Sequence, residues 1–277
     1  GRRVAPLPLA VHGPCGLLLS ETAADELTGV ADGSRVLAAA VAEEHSHLPD
    51  SPTVVSAGDT ITGVKTLVRA GMIAEAFLVT ATVPDGTVGV FLVDASASGV
   101  DRQAQHTSDG DVTALVSFAS APARQIGNAS AANRLGELLT VAAAAELLGV
   151  TEGALELTSS YAKTREQFGR AIGTFQAVSQ RLADGFIDVL AQRLTLWQAV
   201  WRVSSGLPAA DQVAVAKLWA ADAAHRLAHT TVHIHGGVGI DLDGEAHRYF
   251  TTAKRFEFVF GGATEQALKI GRTFAAS

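Results

Sequence analysis

Cysteine is almost absent from this sequence, since Cys15 is the single one among 277 residues. A lone cysteine excludes an intrachain disulfide and a cysteine-based zinc site. It fits a reducing cytoplasm, so we expect a cytoplasmic protein in which Cys15 is a small buried thiol. Positive charge is also scarce. The 21 lysines and arginines against 28 acidic residues give a net charge of −7, and without a basic field the chain is not expected to bind nucleic acid.

Long hydrophobic runs are missing too. The alanine-rich stretch 141–150 is interrupted by Glu146, so no uninterrupted apolar run reaches the roughly 18 residues of a membrane helix, and no membrane partner is predicted. Charged residues make up 18% of the chain and hydrophobic residues 48%, a balance that excludes a disordered protein. The first residues contain no starting methionine and no signal-peptide pattern, which predicts that the chain begins inside a longer protein.

The first half of the chain has the pattern of a small β domain. Runs rich in β-branched residues at 76–82, 88–93 and 113–118 are separated by turn residues, which is typical of strands. Pro84-Asp85-Gly86 lies between the first two runs and predicts a hairpin turn. We therefore expect a small antiparallel β domain at residues 51–125.

The second half has the pattern of a helical bundle. Proline nearly disappears from residue 129 onward, with Pro208 as the one exception, and apolar residues recur at helical spacing. Four antiparallel helices can bury such apolar faces against each other. The expected helices lie at 131–163, 172–204, 208–234 and 244–275. The predicted fold class is therefore α+β, with a C-terminal four-helix bundle at 126–277.

Residues 1–50 contain two short segments with helical character, 23–27 and 35–40. Two short helices cannot form an independent domain, because they bury too little surface. We therefore expect both segments to pack on later parts of the chain or on a segment that this sequence does not contain.

The segment from Tyr161 to Gln176 carries an arginine, a glutamine and phenylalanines at the bend between two expected helices. An arginine fork can bind a pyrophosphate or a carboxylate, and an aromatic ring can cover the edge of an adenine or a flavin. On spacing alone, an ordinary helix–helix corner with an exposed arginine is the competing interpretation.

The order of the residues in this segment resembles one family. The pattern Tyr-x-x-x-Arg-x-Gln-Phe-Gly-x-x-Ile-x-x-Phe-Gln, which starts at Tyr161, is similar to the flavin-contacting segment of acyl-CoA dehydrogenases. Further on, His233-Ile234-His235-Gly236-Gly237-Val238-Gly239 resembles the Gln-x-x-Gly-Gly-x-Gly loop of that family. Gly63-Val64-Lys65 and Phe91-Leu92-Val93-Asp94 are similar to its central β domain. The resemblance covers nearly the whole chain and implies that residues 1–50 are the remnant of an N-terminal helical domain that is largely missing.

The resemblance implies FAD as the cofactor, bound across the interface of two subunits. In the family, one subunit holds the flavin ring, and its neighbour contacts the pyrophosphate and the adenine. The positions that match the neighbour's contacts are Arg165, Gln167, Phe168, Phe175, Gln176, His233, Gly236 and Gly237. His233 stands where the family usually has a glutamine, and an imidazole replaces only part of the hydrogen-bonding set of an amide.

The catalytic half of the family's site does not match. Family members remove an α proton from the acyl-CoA with a glutamate, which must be anionic and close to the substrate. The matching position is Gly261, or Phe260 if the alignment shifts by one residue, and neither side chain takes a proton. Ala263 and Glu265 stand where a threonine and a glutamine would hold FAD.

Some relatives carry the base on the first bundle helix instead. There this chain has Leu139, with Thr140 at the position of an arginine that contacts CoA. Glu137 lies ~200° around the helix from Leu139 and is expected to be an exposed carboxylate. In the β half, 67–69 (Leu-Val-Arg) stands where the family's flavin-facing hydroxyl would be. We therefore predict no catalytic residue in this chain.

Together these matches predict one subunit of a heterotetrameric acyl-CoA dehydrogenase, built from two copies of each of two subunits (α₂β₂). A paralogous subunit would own the catalytic carboxylate and hold the FAD. By analogy with split enzymes of the family, the expected substrate is a steroid side-chain CoA thioester, and the expected electron acceptor is an electron-transfer flavoprotein. Two alternatives stay open: a homotetrameric dehydrogenase or oxidase with an unrecognised base, and a flavin-free scaffold subunit.

Two further groups of residues have simpler interpretations. Four histidines recur at metal-like spacing on one expected helix: His225, His229, His233 and His235. No His-Glu-x-x-His pattern accompanies them, so helix packing or capping is favoured and no metal site is predicted. Trp197, Trp201 and Trp219 are expected in the core or at an interface.

Overall fold

The structure is a computed structural model that describes residues 1–276 of the chain. These residues form two compact units, which are described separately. The β unit comprises Leu7–Ala142, and the helical unit comprises Gly1–Pro6 together with residues 143–276. The division falls within one long helix, Ala129–Thr164.

The β unit contains a helix and eight strands. They are α1 (Leu9–Thr22), β1 (Leu37–Ala40), β2 (Val55–Ala57), β3 (Thr60–Arg69), β4 (Ala76–Thr82), β5 (Val88–Asp94), β6 (Val100–His106), β7 (Val112–Pro122) and β8 (Arg124–Gly127). The strands form one sheet in the order β6-β7-β3-β2-β4-β5-β8, and β1 pairs with β4. The β1–β4 and β2–β4 pairs are parallel and the others antiparallel, so the sheet is mixed rather than wholly antiparallel. The long stretch of chain between β1 and β4 provides the crossover that a parallel pair requires.

The central hairpin of the sheet agrees with the sequence. β4 and β5 are buried along almost their whole length, as apolar runs of this length predict. In the turn between them, the carboxylate of Asp85 accepts hydrogen bonds from the backbone N and the hydroxyl of Thr87, at 2.8 and 2.7 Å. Gly86 adopts φ +84°, which suits glycine. The predicted hairpin turn is confirmed.

The N-terminal residues differ from the helices expected at 23–27 and 35–40. Residues 24–26 form only one 3₁₀ turn, and β1 is a fully buried strand that runs parallel to Ala76–Val79. The second expectation was wrong because the periodicity of a short alanine-rich run does not distinguish a buried strand from a helix. The helix of this region is α1, which the sequence did not predict and which buries the thiol of Cys15 as expected.

The rest of the chain is mainly helical. Its long helices are α2 (Ala129–Thr164), α3 (Gln176–Ser204), α4 (Ala210–His235), α5 (Ala246–Phe258) and α6 (Ala263–Ala276). The first three agree with the expected blocks within a few residues. The fourth block is two helices, because Phe260 and Gly261 adopt φ +58° and +98° and end the first of them. The predicted α+β fold class is confirmed, with five helices where four were expected.

Polar contacts join α3 to its neighbours. The guanidinium of Arg226 on α4 donates two hydrogen bonds of 2.8 Å to Asp188 on α3 and also pairs with Asp222. On the α2 side, the hydroxyl of Thr151 donates to the amide oxygen of Gln192 at 2.8 Å. These contacts fix which face of α3 points inward.

Helix α2 is long and apolar enough to cross a membrane by length and composition. Its most apolar window has a mean hydropathy of 1.5, and 61% of that window is buried inside the protein. The interruption at Glu146 therefore does not exclude a helix that meets these criteria of length and composition. A helix whose most apolar part is mostly buried inside the protein is typical of a core helix, and α2 is of this kind.

Candidate functional site

The corner between α2 and α3 is a small hairpin that the sequence did not predict. Arg165 follows α2, and its backbone is fixed by two 2.8 Å hydrogen bonds, to the carbonyl of Tyr161 and from the N–H of Ile172. Strands β9 (Glu166–Gln167) and β10 (Arg170–Ala171) then pair antiparallel. The turn residues Phe168 and Gly169 both have positive φ, +54° and +77°, as in a tight two-residue hairpin turn.

This hairpin presents cationic, amide and aromatic groups to the outside. The side chains of Arg165, Gln167 and Gln176 are exposed. Phe168 is 92% exposed and meets the ring of the half-buried Phe175 edge-on, with 6.1 Å between centroids. Exposing a phenylalanine ring to water on a left-handed backbone is unfavourable in free energy. We therefore interpret Phe168 as a contact for a ligand or partner.

The glycine loop follows α4. Gly236 adopts φ +65° and begins a 3₁₀ turn that runs to Ile240. A Cβ added at Gly236 or Gly237 would meet no atom within 4 Å, so both residues border open space. Bare backbone at such a place lets a ligand approach the peptide groups closely. His233, one turn earlier on α4, is also exposed.

A ring stack brings the hairpin and the glycine loop together. Tyr161, one turn before Arg165, stacks on His235, with 4.3 Å between centroids and 21° between planes. The Nδ1 of His235 donates to the carbonyl of Thr231 at 2.8 Å, which fixes the ring. The eight predicted cofactor contacts thus lie at one end of the helical unit. The sequence did not reveal the stack, since nothing in a single sequence pairs residues so far apart.

The position of the missing base is a glycine in a left-handed backbone conformation. A Cβ on Gly261 would lie 2.5 Å from Nε2 of Gln266 and 2.9 Å from Cδ of Glu265, and φ is +98°. Gln266 is buried and donates to the carbonyl of Phe260 at 2.8 Å. Phe260 itself is buried with positive φ. Neither aligned position carries a carboxylate, and Gln266 is a residue of this bend that the sequence reasoning missed.

Gly261→Ala is expected to lower the free energy of unfolding by about 1–3 kcal/mol, because a φ of +98° is sterically strained for a residue with a Cβ. Urea denaturation at neutral pH measures the change. Gly271→Ala is the matched control, since a Cβ there meets open space on α6 and should stabilise the helix slightly. Equal midpoints for Gly261→Ala and the wild type would contradict the steric argument.

The alternative base position on α2 is also without a carboxylate. Leu139 is fully buried, and the hydroxyl of Thr140 donates to the carbonyl of Gly136 at 2.7 Å. Glu137, expected to be exposed, is half-buried, and burial raises its pKa, with Arg134 acting against the shift. The expectation that Glu137 is exposed was wrong, because its side chain is partly covered at this turn of α2. Glu137 is still ~200° around the helix from Leu139.

In the β unit, an ion pair occupies the position where the family has its flavin-facing hydroxyl. Arg69 is buried, and its Nε donates to Asp111 at 2.9 Å. Leu67 has φ +51° and is partly exposed. A guanidinium only donates hydrogen bonds, and this one is already paired with a carboxylate, so Arg69 does not replace a hydroxyl that faces a flavin ring.

The histidines of α4 make local contacts. Nδ1 of His225 lies 3.1 Å from both Oε1 of Glu257 and Nζ of Lys254, and its ring is 4.7 Å from that of His229. Burial lowers the pKa of His229, helped by the neighbouring cations. Among residues 1–276, no group of three or more histidine, cysteine or acidic side chains is placed to hold a metal ion.

Comparison with known sequences identifies the family. The profile of the acyl-CoA dehydrogenase C-terminal domain matches residues 137–274. Acyl-CoA dehydrogenase FadE27 of Mycobacterium tuberculosis is 46% identical over 254 residues, which cover 88% of this chain and 68% of that protein. The chain belongs to the acyl-CoA dehydrogenase family. FadE28 of the same organism is 33% identical over 280 residues, covering 98% of this chain and 80% of that acyl-CoA dehydrogenase.

Solved structures of acyl-CoA dehydrogenases agree with this result. One chain of the ChsE4–ChsE5 complex of Mycobacterium tuberculosis superposes with a TM-score of 0.94 at 41% identity, covering 100% of this chain and 78% of that chain. A chain of the Tcur3481–Tcur3483 steroid acyl-CoA dehydrogenase, a G363A variant, also gives 0.94, at 38% identity over 99% of this chain and 78% of that chain. The predicted resemblance is confirmed.

Proposed function

We propose that this chain is the non-catalytic subunit of a heterotetrameric (α₂β₂) acyl-CoA dehydrogenase, and that it contributes to FAD binding from across a subunit interface. The observation that carries the proposal is a contrast within the helical unit. Most residues that match the phosphate and adenine contacts are exposed at one end, whereas the position of the base is Gly261, which has no side chain and a φ of +98°.

The exposed end suits the phosphate and adenine part of FAD, the cofactor of the family. Arg165 offers a guanidinium to the pyrophosphate, where charge-assisted hydrogen bonds are strongest. Gly236 and Gly237 leave backbone open to close approach, and Phe168 offers an exposed ring. Bound there, FAD would supply the acceptor for the hydride that leaves the β carbon of the acyl group. The residues of this chain would bind and orient the cofactor.

The α proton must be removed by a carboxylate of another chain. Gly261 and Leu139, at the two known positions of the base, have no group that takes a proton. The similar solved structures are described as a complex of two different proteins and as a steroid acyl-CoA dehydrogenase. They support a paralogous catalytic partner and a steroid side-chain CoA thioester as substrate. An electron-transfer flavoprotein is the expected acceptor of the electrons.

Arg165→Ala is the variant that tests this proposal. The chain is purified alone and together with a paralogous dehydrogenase subunit from the same organism, and flavin absorbance is measured per mole of protein. We expect one FAD per heterodimer. Loss of a charged hydrogen-bond donor costs ~1.5–3 kcal/mol, so Arg165→Ala should raise the Kd for FAD about 10- to 100-fold. Arg272→Ala, an exposed arginine on α6, is the control and should leave FAD content unchanged.

The other outcomes separate the alternatives. Stoichiometric FAD on the chain purified alone would identify a conventional homomeric flavoenzyme. A colourless complex would identify a scaffold subunit. An unchanged FAD content in Arg165→Ala would refute the contribution of this chain to the cofactor site.

A further inference from the structure

The first residues of the chain lie against helix α2. Gly1–Pro6, which we call the strap, belong to the helical unit. The strap passes over Gly149 and Gly153, which are one helical turn apart on α2. A Cβ on Gly149 would lie 2.7 Å from the backbone N of Arg2, and a Cβ on Gly153 would collide with the carbonyl oxygen of Arg2. The two glycines therefore form a groove that lets the backbone of the strap approach the helix closely.

Side-chain hydrogen bonds tie the strap to two helices. On α2, Glu156 accepts two hydrogen bonds from the guanidinium of Arg2, at 3.2 and 2.7 Å. On α5, the hydroxyl of Tyr249 donates to the carbonyl of Arg2 at 2.9 Å, and Arg248 donates to the carbonyl of Val4 at 3.4 Å. An exposed ion pair adds little stability, so the strap depends mainly on its backbone contacts. Through these contacts it bridges α2 and the first turn of α5.

The first turn of α5 is also the far end of the glycine loop. The chain leaves α4 at His235, passes through the 3₁₀ turn Gly236–Ile240 and then enters α5. Ile240 and Leu242 are 68% and 81% exposed, so this part of the segment packs little against the helical unit. Its position therefore depends on its two ends. The near end is fixed by the stack of His235 on Tyr161, and the far end is bonded to the strap.

We propose that the strap is a conformational device of the FAD site. While it lies in its groove on α2, it fixes the first turn of α5 and so holds the glycine loop in position for the cofactor. When it opens, this turn keeps the packing of α5 on α4 but loses the bonds of Arg248 and Tyr249. A site that adopts its binding conformation for only a fraction of the time has its apparent Kd raised by the inverse of that fraction. The inference rests on the proposed function, because it concerns the same cofactor site.

Gly153→Ala is the variant that opens the strap, because its methyl group would occupy the place of the Arg2 carbonyl. FAD is stripped from the complex with the paralogous subunit and titrated back, with flavin fluorescence as the readout. We expect the Kd for FAD to rise about 10-fold, as for a loop that is in place one tenth of the time. An unchanged Kd in this variant would overturn the inference.

Gly136→Ala is the matched control on the same helix. A Cβ there meets the side chain of Leu48 at 3.8 Å, which is an ordinary van der Waals distance. Both substitutions favour the helix by the same amount, so the two variants differ in their effect on the strap. Gly136→Ala should bind FAD as the wild type does. An equal rise of the Kd in both variants would contradict a role of the strap.

Trypsin cleavage after Arg3 measures the opening of the strap. Cleavage at a site that must first open follows the population of the open form. A ligand that binds only the closed form stabilises that form, so FAD should slow this cleavage in the wild-type complex, as followed by mass spectrometry. Cleavage should be faster in Gly153→Ala. Equal rates with and without FAD in the wild type would show that the strap is independent of the cofactor, and they would overturn the inference.

Tyr249→Phe is a milder variant for use if Gly153→Ala does not fold. It removes the hydroxyl that donates to Arg2, and the loss of one such hydrogen bond should speed cleavage after Arg3 about 5-fold. An unchanged rate would contradict the closed strap. Failure of the proposed function has a different signature, since it would leave the wild-type complex colourless. If Arg165→Ala lowers the FAD content but opening the strap changes neither the Kd nor the cleavage, the inference alone is wrong.

Discussion

Glu43→Ala is expected to lower the free energy of unfolding by about 3–5 kcal/mol, because it leaves an ammonium group unpaired in the core of the β unit. Lys65 on β3 is fully buried and donates to Oε1 of Glu43 at 2.8 Å, with longer bonds to the carbonyl of Val41 and the hydroxyl of Thr80. Burial lowers the pKa of Lys65 to about 8, although Glu43 acts against this shift. Burial alone would raise the pKa of Glu43, but the bonds from Lys65 and Thr53 hold it below its ordinary value.

A double-mutant cycle in urea measures the coupling of this pair. Lys65→Met should cost less than Glu43→Ala, since Glu43 keeps hydrogen bonds from Thr53 and Val54. Glu43→Ala/Lys65→Met should be more stable than Glu43→Ala alone, because no buried charge then lacks a partner. Additive losses in the double variant would show that the ion pair is not coupled, and they would contradict this account.

Lys217→Met is expected to flatten the dependence of stability on pH. Lys217 on α4 is fully buried, and its Nζ donates to the carbonyls of Phe256 and Glu257 at the end of α5, at 3.2 and 3.0 Å. Burial lowers its pKa to about 7, against the pull of Glu257 and Glu265. In the unfolded chain the pKa is ~10.4, so between these values the unfolded state binds a proton that the folded state has lost.

The sign of the effect follows from that difference. The stability of the wild type should rise with pH above 7 by up to ~1.4 kcal/mol per unit from this group, or about 2 kcal/mol between pH 7 and 9. Urea unfolding of wild type and Lys217→Met at both pH values isolates this contribution. Lys163→Met, which removes an exposed lysine near the end of α2, should keep the slope of the wild type. An unchanged slope in Lys217→Met would show that the buried amine keeps an ordinary pKa.

The sequence predicted the features that recur along the chain. The apolar runs of β4 and β5 and the helical spacing of α2, α3 and α4 are periodic over many residues, and these elements are confirmed. The β9–β10 hairpin has only two residues per strand and therefore leaves no periodic signal. The break between α5 and α6 was missed because it depends on the backbone of Phe260 and Gly261, which the apolar pattern does not encode.

The residues of the candidate site also fall into two groups, those that a sequence pattern predicts and those that depend on the fold. The candidate cofactor positions from Arg165 to Gln176 form a local motif, so the sequence alone can propose them. The contact between Tyr161 and His235 was not predictable, because it joins residues that only the fold brings together. The burial of Glu137 and the role of Gln266 also depend on packing from other elements.

The stack of Tyr161 on His235 has a thermodynamic consequence. Tyr161 precedes the hairpin by one turn, and His235 directly precedes the glycine loop, so the position of each segment depends on the other. A coupling of this kind is reciprocal: the free energy by which an ordered hairpin favours an ordered loop is also that by which the ordered loop favours the hairpin. In the proposed FAD site, this pair of rings therefore lets contact with either segment favour contact with the other.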